Sequence, residues 1–236
     1  MNPITPPVVI LAGGLGARLG RLTKRRPKCL VDVLGEPFAA HQLRLLRSQG
    51  VSRVFFCLGH LGEQVVEALG DGQKFGLEIT YFFDGPLLLG TGGAIRRSYD
   101  ALPESFFVAY GDSYLPCDLS PIHNAFAASQ QDALMTVFAN QGRWDSSNVE
   151  FHNGKILRYD KFQQTPRMTH IDYGLSLFNR RAFVDVPENT PFDLAILYQA
   201  LRDRGQLAAF EVSNRFYEVG SCLGLEETRR YFESRR

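Results

Sequence analysis

The alternation of short apolar runs with helical segments constrains the fold more than any other feature of this sequence. Four short, mainly apolar runs have the length of buried strands: 8–12, 54–58, 79–83 and 106–110. Between them, three segments have the spacing of helices: 38–49, 63–69 and 92–102. This alternation predicts an α/β fold with a Rossmann-like, doubly wound sheet.

The second half of the chain has a different pattern. Short strands are predicted at 133–139, 148–151, 156–159 and 171–178, and Asn153-Gly154 is a hairpin signal. They indicate a small antiparallel part beside the main, mixed sheet. Helices are predicted at 192–202 and 223–234. Since no repeat or linker divides the sequence, we expect a single domain over residues 1–236.

Composition excludes several classes of protein. The chain has 236 residues, of which 44% are hydrophobic and 22% charged, with a net charge of +1, so it is not intrinsically disordered. No apolar run has the length of a transmembrane helix, and the charge balance favours neither nucleic acid nor membrane as a partner. The chain has four widely spaced cysteines, Cys29, Cys57, Cys117 and Cys222. Their spacing indicates reduced thiols and a cytoplasmic protein.

A glycine-rich loop follows the first predicted strand. Gly13, Gly14 and Gly16 allow backbone N–H groups to approach phosphate oxygens. The loop matches neither the complete dinucleotide fingerprint nor the Walker A motif. Residues 1–31 contain no acid and six cations, among which we expect Arg18 and Lys28 to neutralise phosphate charge. A basic loop without a ligand is the alternative.

Residues 11–37, LAGGLGARLGRLTKRRPKCLVDVLGEP, resemble the signature of sugar-1-phosphate nucleotidylyltransferases. Cys29 stands where the family usually has proline. The resemblance implies the nucleotide-diphospho-sugar transferase fold, with nucleoside triphosphate and sugar 1-phosphate as substrates. It also implies the following nucleotide-binding residues: Leu11, Ala12, Gly13, Gly14, Gly16, Arg18, Leu89, Gly90, Thr91 and Gly111.

Acids that follow two predicted strands are candidate metal ligands. Asp112 comes directly after the strand at 106–110, at the sheet edge where α/β proteins bind ligands. By resemblance, Asp112 and Glu218 hold Mg²⁺, with Glu218 replacing the family's aspartate. A turn cap at Asp112 and a buried structural glutamate at Glu218 are the alternatives. Arg18, Lys28 and Asp112 are the expected catalytic residues.

The second half carries the candidate sugar-phosphate site. By resemblance, Lys161 binds the sugar's phosphate, and Asp160, Asp172 and Gly174 line the sugar pocket. Both acids differ from the family's usual Glu and Asn. A solvated charge pair is the alternative for Asp160 and Lys161.

The resemblance therefore implies transfer of a nucleotidyl group to a sugar 1-phosphate, for cell-surface carbohydrate synthesis. Near Leu89-Gly90-Thr91 no glutamine offers a pyrimidine-reading amide, which favours GTP, read by backbone groups. Among subfamilies the sequence resembles heptose or mannose 1-phosphate guanylyltransferases, which implies a heptose or hexose 1-phosphate. A uridylyl- or thymidylyltransferase for N-acetylmuramate or glucose 1-phosphate is the alternative. A related glycosyltransferase, a non-catalytic nucleotide sensor and a homo-oligomer also stay open.

Overall fold

The computed structural model describes residues 5–14, 16 and 25–235. The strands of the main sheet are β1 (Val8–Ala12), β2 (Arg53–Leu58), β3 (Glu78–Phe83), β4 (Ser105–Tyr110), β5 (Ala133–Phe138), β6 (Ile171–Asn179) and β7 (Leu207–Val212). The α-helices are α1 (Phe38–Ser48), α2 (Gly62–Leu69), α3 (Gly90–Arg97), α4 (Leu119–Ser129), α5 (Leu194–Asp203) and α6 (Cys222–Glu233). Short 3₁₀ helices cover Lys28–Leu30, Gln73–Phe75, Tyr99–Ala101 and Arg180–Phe183.

The main sheet is mixed, in the order β7-β5-β6-β4-β1-β2-β3. Strands β4, β1, β2 and β3 run parallel, as does β7 with β5. Strand β6 is antiparallel to both of its neighbours, with Leu175 opposite Ala109 of β4. The start of β6 therefore lies beside the carboxyl end of β4.

Alternating residues of the buried strands pack on opposite faces of the sheet. Ile10 of β1 belongs to the core on the side of α1 and α2, whereas Val9 belongs to the core on the side of α3 and α5. Helices thus cover both faces, and the prediction of a doubly wound, mixed α/β sheet is confirmed.

Three two-stranded pairs complete the architecture. Val149–His152 pairs with Lys155–Tyr159, which gives the predicted small antiparallel part. The other pairs join Asp32–Val33 to Glu36–Pro37, and Ser113–Tyr114 to Tyr217–Glu218. Within the described ranges, no helix has the length and apolar character needed to cross a membrane.

The predicted helix at 92–102 is shorter in the structure. Helix α3 covers Gly90–Arg97, the Ser98 hydroxyl donates to the carbonyls of Ile95 (2.9 Å) and Ala94 (3.3 Å) of its last turn, and a 3₁₀ turn follows. Helix α4 and strand β7 were not predicted.

Candidate active site

The carboxyl ends of the central parallel strands open into one cleft. Nine of the predicted residues line it: Leu11, Ala12, Gly13, Gly14, Lys28, Gly90, Thr91, Gly111 and Asp112. Six further residues line it as well: Cys29, Cys57, Asp84, Leu88, Ala94 and Tyr110. Of the other nucleotide-binding candidates, Gly16 has φ +69° and Leu89 is buried, whereas Arg18 lies outside the described residues.

The glycines of the cleft differ in the physical reason for which a side chain is absent. A Cβ on Gly13 would lie 3.1 Å from the Gly59 nitrogen, and a Cβ on Gly111 would lie 3.0 Å from the Ala12 side chain. These two glycines let the strand ends pack closely. Gly14 is exposed, and a Cβ there would have no heavy atom within 4 Å. Its backbone is therefore accessible from the cleft.

Lys28 and Asp112 form an ion pair at the cleft. Lys28 begins a 3₁₀ turn after Pro27, and Asp112 lies in the turn that follows β4. The Lys28 Nζ is 3.1 Å from Asp112 Oδ2, and the side chains are 19% and 25% exposed. A cation and a carboxylate thus meet where the sequence predicted a phosphate-binding lysine and a metal-binding aspartate.

Asp84 is a buried carboxyl group of the cleft that the sequence analysis missed. It accepts a hydrogen bond from the Leu89 N–H at 3.0 Å. Burial raises the pKa of Asp84, while that hydrogen bond and the charge of Arg97 oppose the shift. Its position directly after β3 was the available signal, because Asp112 also lies just past the end of a parallel strand, two residues after β4.

The segment that leads into α3 and the first turn of α3 use their N–H groups within the protein. The amides of Gly92 and Gly93 both donate to the Phe192 carbonyl, at 2.9 and 3.1 Å, and the Leu89 amide donates to Asp84. The sequence predicted that N–H groups of this segment bind the nucleobase, but these three already form hydrogen bonds within the protein. Thr91 does not cap α3, since its hydroxyl accepts from the Leu194 N–H at 2.8 Å.

The first two sugar-site candidates lie on β6, beside the end of β4. Gly174 has φ +89°, and a Cβ there would lie 3.4 Å from the Tyr110 ring. The Asp172 carboxylate accepts from the Tyr159 hydroxyl (3.2 Å) and the Gly174 N–H (3.0 Å). Burial raises the pKa of Asp172, and the positive charge of Lys161 is the leading opposing influence.

The other two candidates follow the small hairpin. Asp160 Oδ1 accepts from the N–H groups of Phe162 (2.9 Å) and Gln163 (2.8 Å), which lower the pKa of Asp160. This carboxylate therefore shapes its own turn. The Lys161 Nζ lies 3.5 Å from Asp193 Oδ1.

Asp193 connects the cleft with the sugar-site candidates, and the sequence analysis missed it. Its Oδ1 accepts from the Ala195 N–H at 2.8 Å, which caps α5, and from the Thr91 hydroxyl at 3.4 Å. The same oxygen faces Lys161. An aspartate before an apolar helical run is a recognised N-cap signal, but the ion pair depends on the tertiary fold.

The backbone segment that contains Glu218 lies beside the segment that contains Asp112. The pairing of Ser113 with Glu218 and a 2.9 Å hydrogen bond from the Val219 N–H to the Asp112 carbonyl join the two segments. The Glu218 carboxylate itself accepts from the N–H groups of Gly220 and Ser221 and from the Ser221 hydroxyl. It thus points to the start of α6.

The carboxylates near the cleft suit a metal ion that takes most of its oxygen ligands from the phosphates of the substrate. Within the part of the chain that the structure describes, no three His, Cys, Asp or Glu side chains form a metal-binding cluster. Mg²⁺ commonly takes one or two carboxylates and completes its shell with phosphate and water oxygens. Asp112, with its carboxylate at the cleft, fits such a site, whereas Glu218 would have to give up hydrogen bonds at α6.

Comparison with solved structures defines the class of fold. HddC from Yersinia pseudotuberculosis, solved in complex with GMP-PN, matches with a TM-score of 0.80 over 96% of this chain and 99% of that chain. The sequence identity is 22%, so this likeness establishes the fold.

The family follows from the sequence comparisons. The family model described as nucleotidyl transferase matches residues 7–210, so the chain belongs to the nucleotidyl transferase family. A UTP–glucose-1-phosphate uridylyltransferase of Synechocystis is 29% identical over 84% of this chain and 55% of its own length. A glucose-1-phosphate thymidylyltransferase of Streptomyces griseus is 26% identical over 94% of this chain and 64% of its own length. The chain thus spans between half and two thirds of these relatives.

Proposed function

We propose that this protein transfers a nucleotidyl group from a nucleoside triphosphate to a sugar 1-phosphate, giving a nucleotide sugar and pyrophosphate. The observation that carries the proposal is the Lys28–Asp112 pair at the mouth of a glycine-lined cleft, in a chain of the nucleotidyl transferase family. Such a cleft combines a cation for phosphate charge with a carboxylate for a hard metal ion.

The reaction needs no general base, because the nucleophile is already an anion. A phosphate oxygen of the sugar 1-phosphate attacks the α-phosphorus, a new P–O bond forms, and the bond to the β-phosphate breaks. Lys28 at the cleft neutralises charge that develops on the phosphates, as Arg18 would. The exposed backbone at Gly14 offers a close approach for the triphosphate.

Asp112 would hold Mg²⁺, with Glu218 as a second ligand only if it releases the start of α6. When bound, the metal ion supplies charge neutralisation and in-line alignment of the two phosphates. Lys28, which is paired with Asp112 in the structure, would be free to contact phosphate when Asp112 holds a metal ion.

We assign the base as guanine on the chemistry of Asp84. A carboxylate that lines the cleft matches the adjacent N1–H and N2–H₂ donors of guanine, whereas uracil and thymine present one N–H. Adenine places an acceptor where guanine has N1–H. The apolar side chains of Leu11, Leu88 and Ala94 line the same cleft and suit the faces of a purine.

The sugar 1-phosphate is proposed to lie between the cleft and β6. Lys161 would contact its phosphate, and Asp172 and Asp160 its hydroxyls, near the backbone of Gly174. A heptose or hexose 1-phosphate for cell-surface carbohydrate synthesis is the proposed class of substrate. The four free cysteines, three of them buried, accord with a reducing, cytoplasmic location.

A pyrophosphate-release screen tests the proposal. The four nucleoside triphosphates GTP, UTP, dTTP and ATP would be incubated with Mg²⁺ and a panel of hexose and heptose 1-phosphates. Release of pyrophosphate that requires both substrates is the expected result. Pyrophosphate release without a nucleotide sugar, or none with any pair, would contradict the proposal.

Three variants, two of the proposed site and one control, are added to the screen. Asp112→Asn removes the charge that binds a hard cation and is expected to abolish turnover. Lys28→Met is expected to lower kcat by about 100- to 1,000-fold, because it removes one electrostatic contact to the transition state. Arg25→Met, a cation of the same basic segment that is exposed, should retain wild-type kcat.

A further inference from the structure

A buried glutamine on α1 holds both ends of the turn that carries Asp112. Gln42 is 4% exposed, and its Nε2 donates to the carbonyls of Tyr110 (2.8 Å) and Ser113 (2.7 Å). These two carbonyls flank Gly111-Asp112. One side-chain amide therefore spans the whole turn.

The orientation of this amide is determined by its donors. Gln42 Oε1 has no hydrogen-bond partner among the residues that the structure describes. A flipped amide would place that oxygen against two carbonyl oxygens, so only the observed orientation uses both N–H groups. A buried acceptor without a partner costs about 1–3 kcal/mol, yet the site retains it. The side chain of Gln42 thus serves to donate these two hydrogen bonds.

Other contacts hold the turn from different directions. The Gly111 N–H donates to the Leu11 carbonyl, and the Val219 N–H donates to the Asp112 carbonyl, both at 2.9 Å. Gln42 adds the hydrogen bonds to the carbonyls on either side. The backbone of the turn is consequently fixed, and the Asp112 side chain is directed toward Lys28 in the cleft.

We propose that Gln42 is a positioning residue, whose amide fixes the 110–113 turn and so presents Asp112 to the reacting phosphates. This role rests on the proposed function of Asp112. The side chain of Gln42 itself contacts backbone and neither substrate.

The residue that follows α1, seven positions after Gln42, offers a matched control. Gln49 also uses its side-chain amide to hold a loop, donating to the Cys117 carbonyl (2.5 Å) and accepting from the Leu119 N–H (2.9 Å). That loop lies outside the cleft lining. A loss of stability alone would therefore affect both glutamine variants, whereas a loss of positioning would affect one.

The experiment compares Gln42→Met with Gln49→Met in three measurements. These are thermal unfolding, hydrogen exchange of peptides that cover 110–114, and kcat and KM with the substrates found in the screen. We expect both variants to unfold at a lower temperature than the wild type. Only Gln42→Met should exchange faster at 110–114 and lose about 10- to 100-fold in kcat, with KM for the nucleotide changed less than about 3-fold.

The outcomes separate this proposal from the proposed function. Unchanged exchange at 110–114 in Gln42→Met, or equal kcat losses in the two variants, would overturn the positioning role. Absence of activity in the wild type would contradict the proposed function and leave the exchange measurement as the test of the turn. If Gln42→Met does not fold, Gln42→Asn keeps a neutral amide but shortens the side chain by one methylene, and it is expected to weaken the two hydrogen bonds and give the same exchange and kcat changes.

Discussion

At the scale of single residues, the candidate site consists of polar side chains that already have partners within the protein. Lys28 faces Asp112, Lys161 faces Asp193, and Asp172 accepts from Tyr159. Each partner holds a charge in place before any ligand arrives. Such pre-organisation lowers the cost of aligning charges at the moment of reaction.

The buried Asp172 makes folding stability depend on pH in a defined direction. Burial raises the pKa of Asp172, because the charged carboxylate is less stable inside the folded protein than in water. Its contribution to folding stability is therefore fully present below the ordinary aspartate pKa and is lost as pH rises through the raised pKa. Asp172→Asn removes that charge and retains an acceptor for the Gly174 N–H. We expect urea unfolding to show a more stable variant at pH 7, with the difference vanishing below about pH 4.

Asp160→Asn is the control with the opposite sign. Backbone N–H groups lower the pKa of Asp160, so its contribution is present above the ordinary aspartate value and is lost as pH falls through the lowered pKa. This variant should be less stable than the wild type at pH 7. Equal stability of Asp172→Asn and the wild type at pH 7 would show that the Asp172 charge costs nothing in the folded protein.

The sequence indicates which residues line the cleft better than it indicates how they pair. Gly14 and Asp112 follow strands whose carboxyl ends meet, so their convergence is predictable from a parallel sheet. Gln42 and Asp193 come from helix α1 and from the residue before α5, and their contacts depend on tertiary packing. Their roles therefore had no local sequence signal beyond the N-cap.

At the scale of elements, apolar strand runs are well predicted because burial on both faces leaves a continuous apolar pattern. Strand β1 has its predicted bounds, and β2 begins at Arg53, one residue early. Helix α4 was missed although Leu119, Ile122 and Phe126 recur at helical spacing and its proline lies in the first turn, where a helix tolerates it. Strand β7 lies at the sheet edge with mostly half-buried residues, and its sequence, LAAFEV, contains two alanines, which are depleted in strands.

The start of α5 combines a helix cap with an ion pair, and two substitutions separate these roles. Asp193→Ala removes the cap, which typically costs about 0.5–2 kcal/mol in stability. Asp193→Ser retains a capping oxygen but loses the charge beside Lys161. Since exposed ion pairs are worth about 0.2–1 kcal/mol, releasing Lys161 should lower KM for the sugar 1-phosphate by up to about 5-fold in both variants.

Asp118→Ala gives the matched control, because Asp118 caps α4 through the Ser120 N–H at 2.9 Å and lies outside the cleft lining. It should lose stability as Asp193→Ala does, with unchanged KM. A raised KM in Asp193→Ser would mean that the aspartate orients Lys161 for phosphate.

At the scale of the whole molecule, the cleft exists only when distant segments of the chain come together. The end of β1 supplies glycines, the first 3₁₀ turn supplies Lys28, the segment from β3 into α3 supplies Asp84 and Thr91, and the end of β4 supplies Asp112. Sheet order places β1 between β2 and β4, which brings these segments to one edge. The prediction of one domain over residues 1–236 stays a prediction, although the strands of this sheet come from both halves of the sequence.

The choice of base is a property of this assembled cleft, and its test is a binding measurement. In isothermal titration with Mg²⁺, GTP is expected to bind more tightly than UTP, dTTP and ATP, by about 10-fold or more, because guanine alone offers Asp84 two adjacent donors and a hydrogen bond to a charged group is worth about 1.5–3 kcal/mol. Asp84→Asn should remove most of that preference. Asp71→Asn is the matched control, since Asp71 also accepts from a backbone N–H, that of Gln73 at 3.0 Å, but is exposed and outside the cleft lining. Tighter binding of UTP or dTTP than of GTP would overturn the guanine assignment and leave the nucleotidyl transferase family unaffected.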